Sequence, residues 1–163
     1  MNDQDRARPS ASSVGAKRSQ ALDPAVRDRL ATERNVWLCT LRPNGSPHVT
    51  PVWFVFVHGT WWIGADRASV KLRNIENDPR VSLALEDGEA PVVAEGRART
   101  WHVPPRAEAV PGAAVPSEVV AAFLAKYDWD VTATPPSASA SERSGRVLFE
   151  VPVDRWLLAG VAQ

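Results

Sequence analysis

The sequence predicts a mainly β domain of antiparallel strands with a few short helices, arranged as a meander or a closed barrel. Three observations carry that expectation. Apolar or alternating runs of strand length recur along the chain, bounded by turn signals such as "PNGS", "HG" and "GEAP". About six such runs stand against three short helical segments. The runs follow one another in hairpins, whereas a doubly wound parallel sheet needs a helix between nearly all of its strands.

Residues 1–21 are polar, small and charged. They bury too little to offset ordering and are expected to form a disordered tail, with the domain spanning 22–163. The domain opens at "LDPAVRDRLATERN", where Asp23 suits an N-cap, Pro24 the first helical position, and Val26 and Leu30 share a face. "VWLCTLR" (36–42) reads as the first strand, and "PHVTPVWFVFV" (47–57) as the second. Pro51 lies inside the second strand. Proline donates nothing to a ladder, so an edge, a bulge or a bend is expected there. "TWWIGA" (60–65) pairs back after "HG". A helix over 68–77 ends at "NDP", because Pro79 disfavours helix in the residue before it. "RVSLALED" (80–87) alternates as a strand, and "VVAEGRARTWHV" (92–103) reads as one long strand with a bulge or bend at Gly96. After a loop, "SEVVAAFLAKY" (117–127) is an amphipathic helix with Ser117 as its cap. Residues 128–145, rich in Ser, Thr, Ala and Pro, read as a mobile loop, and the strand at 146–160 closes the domain.

Composition narrows the partners. The 163 residues carry 19 Lys plus Arg and 19 Asp plus Glu, a formal charge of zero. Neither nucleic acid nor an anionic membrane is indicated. The longest aliphatic-aromatic run, Val52 to Val57, is far too short to span a bilayer. The N-terminus lacks the apolar core of a signal peptide. Cys39 is the one cysteine; it reads as a buried, inert thiol, and that usage suits a reducing cytoplasm. No metal site is indicated.

Two features carry chemistry. In "ADRASVKLRNIENDP" (65–79), a helix begins beside Ser69, Lys71 and Arg73. Unpaired N–H groups at a helix start, a hydroxyl donor and two cations make a seat for phosphate, although a solvated first turn has the same composition. In "TPVWF" (50–54), a proline within a strand frees backbone groups to read the polar edge of a heterocycle, with Trp53 beside it. Taken alone, Trp53 reads more readily as core. His48, His58 and His102 are acids or bases by type only, and no catalytic residue is identified.

The stretch "WLCTLRPNGSPHVTPVWFVFVHGTWWIGADRASVKLRNIENDPRVSLALED" resembles the N-terminal half of the pyridoxamine 5'-phosphate oxidase-like superfamily, over about residues 22–103 and loosely in the last strand. The resemblance implies a six-stranded antiparallel split β-barrel that binds flavin or deazaflavin as a homodimer, with cofactor sites in the interface. It implies ring contact by Thr50, Pro51, Val52 and Trp53, largely through backbone. Ile63, Gly64 and Ala65 would line the start of the cofactor tail, Ser69 and Lys71 would hold the phosphate, and Asn74 would support that turn. A partner chain would bring residues 96–101, or the segment around Trp129 and Trp156, near the ring. Arg155 and Trp156 are adjacent, but their surroundings do not match the C-terminal motif of true pyridoxamine phosphate oxidases. The resemblance therefore points to an oxidoreductase using coenzyme F420, with FMN as the alternative cofactor, on a small unsaturated molecule. A non-catalytic flavin, F420 or haem carrier is the rival reading.

Overall fold

The computed structural model describes residues 22–103, 115–133 and 146–158. The expected tail at 1–21, the loop at 104–114 and the segment 134–145 lie outside the described residues. Within them the order is α1 (Pro24–Thr32), β1 (Asn35–Leu41), β2 (Pro47–Val57), β3 (Thr60–Ala65), α2 (Val70–Asn77), β4 (Arg80–Ala84), β5 (Val92–Arg97), β6 (Arg99–Val103), α3 (Ser117–Tyr127) and β7 (Arg146–Leu158).

Six strands close a ring in the order β3-β2-β1-β4-β5-β7, with β7 returning to β3, and β6 adds to β7 outside the ring. Every pairing is antiparallel. The expected barrel is thus present. Two long strands make closure possible because each serves two neighbours. β2 pairs through 47–53 with β1 and through 54–57 with β3. β7 pairs through 147–152 with β3 and, beyond them, through 153–158 with β5.

Strand alternation builds two cores. Val36, Leu38, Phe54, Trp61, Ile63 and Phe149 point into the barrel and are fully buried. The neighbours Val55, Trp62 and Leu148 point outward, where α3 covers them with Val119, Phe123 and Tyr127. α3 therefore roofs the β2–β3–β7 side of the barrel. Nothing among the described residues roofs the outer face of β1, β4, β5 and the first half of β2.

Local chemistry explains most boundaries. Asp23 caps α1, its carboxylate accepting from the Ala25 N–H at 2.8 Å. His58 (φ 50°) and Gly59 (φ 77°) both take the left-handed conformation that a two-residue hairpin turn requires. Pro51 sits where β2 has only β1 beside it, in an unbroken register; the edge reading holds and the bulge reading does not. The bulge at Gly96 is real: Glu95 faces Arg155 and Gly96 faces Val153, leaving Asp154 as the extra residue. A Cβ on Gly96 would lie 2.4 Å from the Pro152 carbonyl oxygen, so this approach requires glycine.

Other expectations are corrected. The strand expected over 92–103 is two strands, because the chain leaves β4 at Ala98, whose N–H donates to Pro79 O at 2.8 Å, and re-pairs with the other half of β7. Pro116, not Ser117, caps α3, without a side-chain hydrogen bond. Cys39 is half-buried on the outer face rather than enclosed, because strand alternation turns the odd residues of β1 away from the barrel.

Candidate cofactor site

The site expected from sequence lies where β2 changes partner. The β1–β2 ladder ends at Asn35 with Trp53, and the β2–β3 ladder begins at Phe54 with Ile63. Between Pro47 and Trp53, β2 has no second strand on its other side among the described residues. Thr50, Pro51, Val52 and Trp53 therefore form an open edge. Thr50 and Val52 turn towards the barrel, Val52 buried in its core, whereas Pro51 and Trp53 face outward and are exposed.

The next rung of the β1–β2 ladder would pair Arg34 with Phe54. The Tyr127 hydroxyl takes its place. It accepts from the Phe54 N–H at 3.0 Å, and its oxygen lies 2.7 Å from both Phe54 O and Arg34 O, which share its single proton as acceptors. Burial raises its pKa, so it stays a phenol. The same ring stacks on Trp53 at 4.7 Å and 13°, with the Arg34 guanidinium 5.0 Å from the Tyr127 centroid and 5.8 Å from that of Trp53. Trp53 is thus neither core nor free: it is held flat against the end of α3.

Across the gap stand Gly64 and Ala65, the last residues of β3. Trp129, just past the left-handed cap Asp128, lies over Gly64; a Cβ there would meet its Cη2 at 2.4 Å. Trp129 also packs edge-on against Trp53 at 6.2 Å and Phe123 at 5.3 Å. It therefore bridges the two lips of the split on the outer side. Trp129 thus meets Trp53 within its own chain. Trp156 is likewise committed inward, against Phe56 at 5.7 Å and Trp61 at 6.1 Å. Ile63 is fully buried in the barrel and paired on both sides, with Phe54 of β2 and Phe149 of β7.

The helix start has the expected form. Ser69 caps α2, accepting from the Leu72 N–H at 3.4 Å, so its own proton is free to be donated. Lys71 is half-buried, Arg73 exposed, and neither forms an ion pair among the described residues. Asn74 is buried and points away from solvent. Its Nδ2 donates to Thr40 Oγ1 at 2.9 Å, and Thr40 Oγ1 donates to His48 O at 3.4 Å. Thr40 and Asn74 thereby tie α2 to β1 and β2. α2 starts just beyond the end of β3 and packs chiefly against β1. Sequence reasoning missed Thr40, Tyr127 and Arg34. The one signal for Tyr127 was its position as the chain's single tyrosine, at the end of an amphipathic helix.

Among the described residues, no group of three or more His, Cys, Asp or Glu could hold a metal ion, and no helix is long and apolar enough to cross a membrane.

Solved structures with this fold include an F420 reductase (TM-score 0.58, 20% identity, covering 80% of this chain and 94% of that one). They also include HutZ, the haem storage protein of Vibrio cholerae (TM-score 0.59, 14% identity, 85% and 95%). A third is an FAD-binding protein of Mesorhizobium loti (TM-score 0.52, 16% identity, 83% and 92%). At these identities the likeness is one of fold. No curated protein matches the sequence. The family model for pyridoxamine 5'-phosphate oxidase matches residues 22–159. The closed barrel, its split at β2 and that match together make the chain a member of the pyridoxamine 5'-phosphate oxidase family.

Proposed function

We propose that the protein is an oxidoreductase that binds coenzyme F420, or alternatively FMN, along the open edge of β2 and transfers hydride to a small unsaturated molecule. The observation that supports this reading is the free edge at Thr50–Trp53 in a member of this family whose next helix is capped by Ser69 and carries Lys71 without an ion pair among the described residues. The residues fit the group. Unpaired backbone donors and acceptors along the edge suit the polar rim of a planar heterocycle. Ser69 and Lys71 would hold the phosphate, and Arg73 adds positive charge. Gly64 and Ala65 would pass the tail, through backbone on the side that Trp129 leaves open.

The cofactor supplies the hydride chemistry when bound. The chain's own residues orient it and exclude water: the Trp53–Tyr127 stack and Trp129 close the outer side, and Tyr127 keeps the split at a fixed width. We further propose a homodimer in which a second copy covers the open outer face, the reaction taking place in the cytoplasm.

The test is fluorescence titration of the purified protein with F420 and with FMN. Lys71→Ala should weaken binding by about 1.5–3 kcal/mol, the worth of a charge-assisted hydrogen bond; unchanged affinity would remove Lys71 from the site. A carrier without turnover is the second reading, supported by the shared fold of the haem storage protein. Reduced cofactor offered with enones, quinones and tetrapyrroles separates the two: failure of every acceptor to reoxidise it leaves the carrier reading standing.

A further inference from the structure

Two residues break the apolar rule of the core. Apart from aromatic residues, Thr40 and Asn74 are the buried polar side chains among the described residues, 0% and 3% exposed. Thr40 continues an inward row of β1 that otherwise reads Val36 and Leu38. Asn74 shares the buried side of α2 with Leu72 and Ile75. An apolar pair of the same shape would fill these places without burying a donor or an acceptor, and such an exchange is close to neutral or stabilising. The pair therefore adds direction to the packing rather than stability.

α2 is the element that needs direction. It has eight residues, too few for a helix to hold itself in place by its own bonds. Leu72 and Ile75 bury one side of it, but apolar burial is non-directional and leaves a short helix free to roll or slide. The Asn74 amide opposes this. Its Nδ2 donates to Thr40 Oγ1 at 2.9 Å, and the same hydroxyl donates its one proton to His48 O at 3.4 Å. Asn74 and His48 O thus hold that hydroxyl between them as acceptor and donor, which fixes its orientation. The tie lies on β1, the strand against which α2 chiefly packs. Lys71 stands three residues before Asn74, a neighbour on the helix surface, and Ser69 caps the same helix.

We propose that Thr40 is a positioning residue: through Asn74 it fixes α2 so that Ser69 and Lys71 meet the phosphate of the bound cofactor. This rests on the cofactor site proposed above and adds to it the buried residue that sets the phosphate's share of the affinity. Thr40 itself is fully buried and acts only through the helix.

The experiment is fluorescence titration of the full-length protein with FMN and riboflavin, and with F420 and its phosphate-free deazaflavin alcohol. Within each pair, the ratio of dissociation constants reads the phosphate alone. In the natural sequence the phosphorylated member binds more tightly. In Thr40→Val the ratio falls about tenfold, the loss of one charged hydrogen bond, while the phosphate-free ligand binds as before. Thr40→Ser keeps the hydroxyl and restores the ratio. Because Thr40→Val strands the Asn74 amide, Thr40→Val/Asn74→Leu is the second variant. With both polar groups gone it melts no lower than Thr40→Val yet shows the same lowered ratio. An undiminished ratio in either folded variant overturns the proposal. So does an equal loss of affinity for the phosphate-free ligands, the mark of a merely structural role, and so does a chain that folds only with both polar groups in place. A natural protein that binds these ligands without favouring phosphate overturns this proposal and leaves the β2 edge as the ring site. One that binds none of them removes the cofactor reading, and this proposal with it.

Discussion

Single residues at the split show how tightly the chain constrains itself. Gly64 falls on the outer face of β3 by alternation and has no room for a side chain because Trp129 lies on it, and Trp129 in turn packs against Trp53 and Phe123. Gly64→Ala therefore inserts a methyl group where an indole already sits, an overpacking that costs about 1–3 kcal/mol. Trimming the indole in Trp129→Leu should recover most of that loss, so a double-mutant cycle in urea should show coupling between the two positions. Additive effects would mean that the indole does not rest on Gly64. Lys126 makes a second claim at this scale. Its Nζ lies 3.7 Å from the Phe54 ring centroid and donates to Leu30 O at 3.1 Å. Desolvation there lowers its pKa to about 8, with Glu33 opposing and Arg34 reinforcing the shift. Between that value and the ordinary lysine range, the unfolded chain holds a proton that the folded chain has released. Stability should therefore rise with pH from about 8 to 10, and above that the raised Tyr127 pKa works against it. Denaturant midpoints measured across that interval should climb in the natural sequence and flatten in Lys126→Met. Equal slopes would show that Lys126 is solvated.

At the scale of elements, β2 decides the architecture, since it must leave β1 for β3 without stranding its own backbone. The Tyr127 hydroxyl solves this by standing in for the missing Arg34–Phe54 rung. In Tyr127→Phe the ring stack on Trp53 survives, but the buried Phe54 N–H loses its acceptor, a cost of about 1–3 kcal/mol. Amide hydrogen exchange at Phe54 should accelerate with the fall in global stability; wild-type protection there would mean that water or another group fills the gap. The same junction shows what a sequence makes visible. Strand and turn signals are local, so "PNGS", the "HG" turn, the bulge at Gly96 and the edge at Pro51 were all legible. The split itself is a relation between residues distant in sequence. Nothing near Phe54 announces that its partner is Tyr127, 73 residues away. The division of 92–103 at Ala98 was hidden for the same reason: both halves have strand composition, and only the crossing from one half of β7 to the other separates them. Trp53 was ambiguous by composition, because alternation says which residues share a face but not which face meets α3.

For the whole molecule, the two sides of the barrel differ in cover. α3 buries the outer face of β3 and β7, while the opposite outer face carries an unbroken apolar row: Pro51, Trp37, Ala84, Val93 and Leu157, each facing the next across five strands. Trp37 and Leu157 in that row are 42% and 45% exposed, and Val49, in the adjacent row, is 55% exposed. An apolar band with a charged margin at Arg80, Arg97 and Arg155 has the composition of an interface centre and its rim. The zero net charge offers little long-range repulsion between copies. In the proposed homodimer, a second copy related by a two-fold axis would satisfy the row with itself, and each substitution would then act twice per interface. Sedimentation of the natural sequence should give about 36 kDa, twice the 17.8 kDa chain. Trp37→Glu buries two uncompensated carboxylates in that seam and should release monomers of 17.8 kDa that keep the circular dichroism of the folded barrel. If the cofactor site is shared between copies, the same variant loses F420 affinity although Trp37 lies outside the expected ring-contact residues. A dimer that survives Trp37→Glu unchanged places the interface elsewhere, and a natural protein that sediments as a monomer yet binds cofactor shows that one copy suffices.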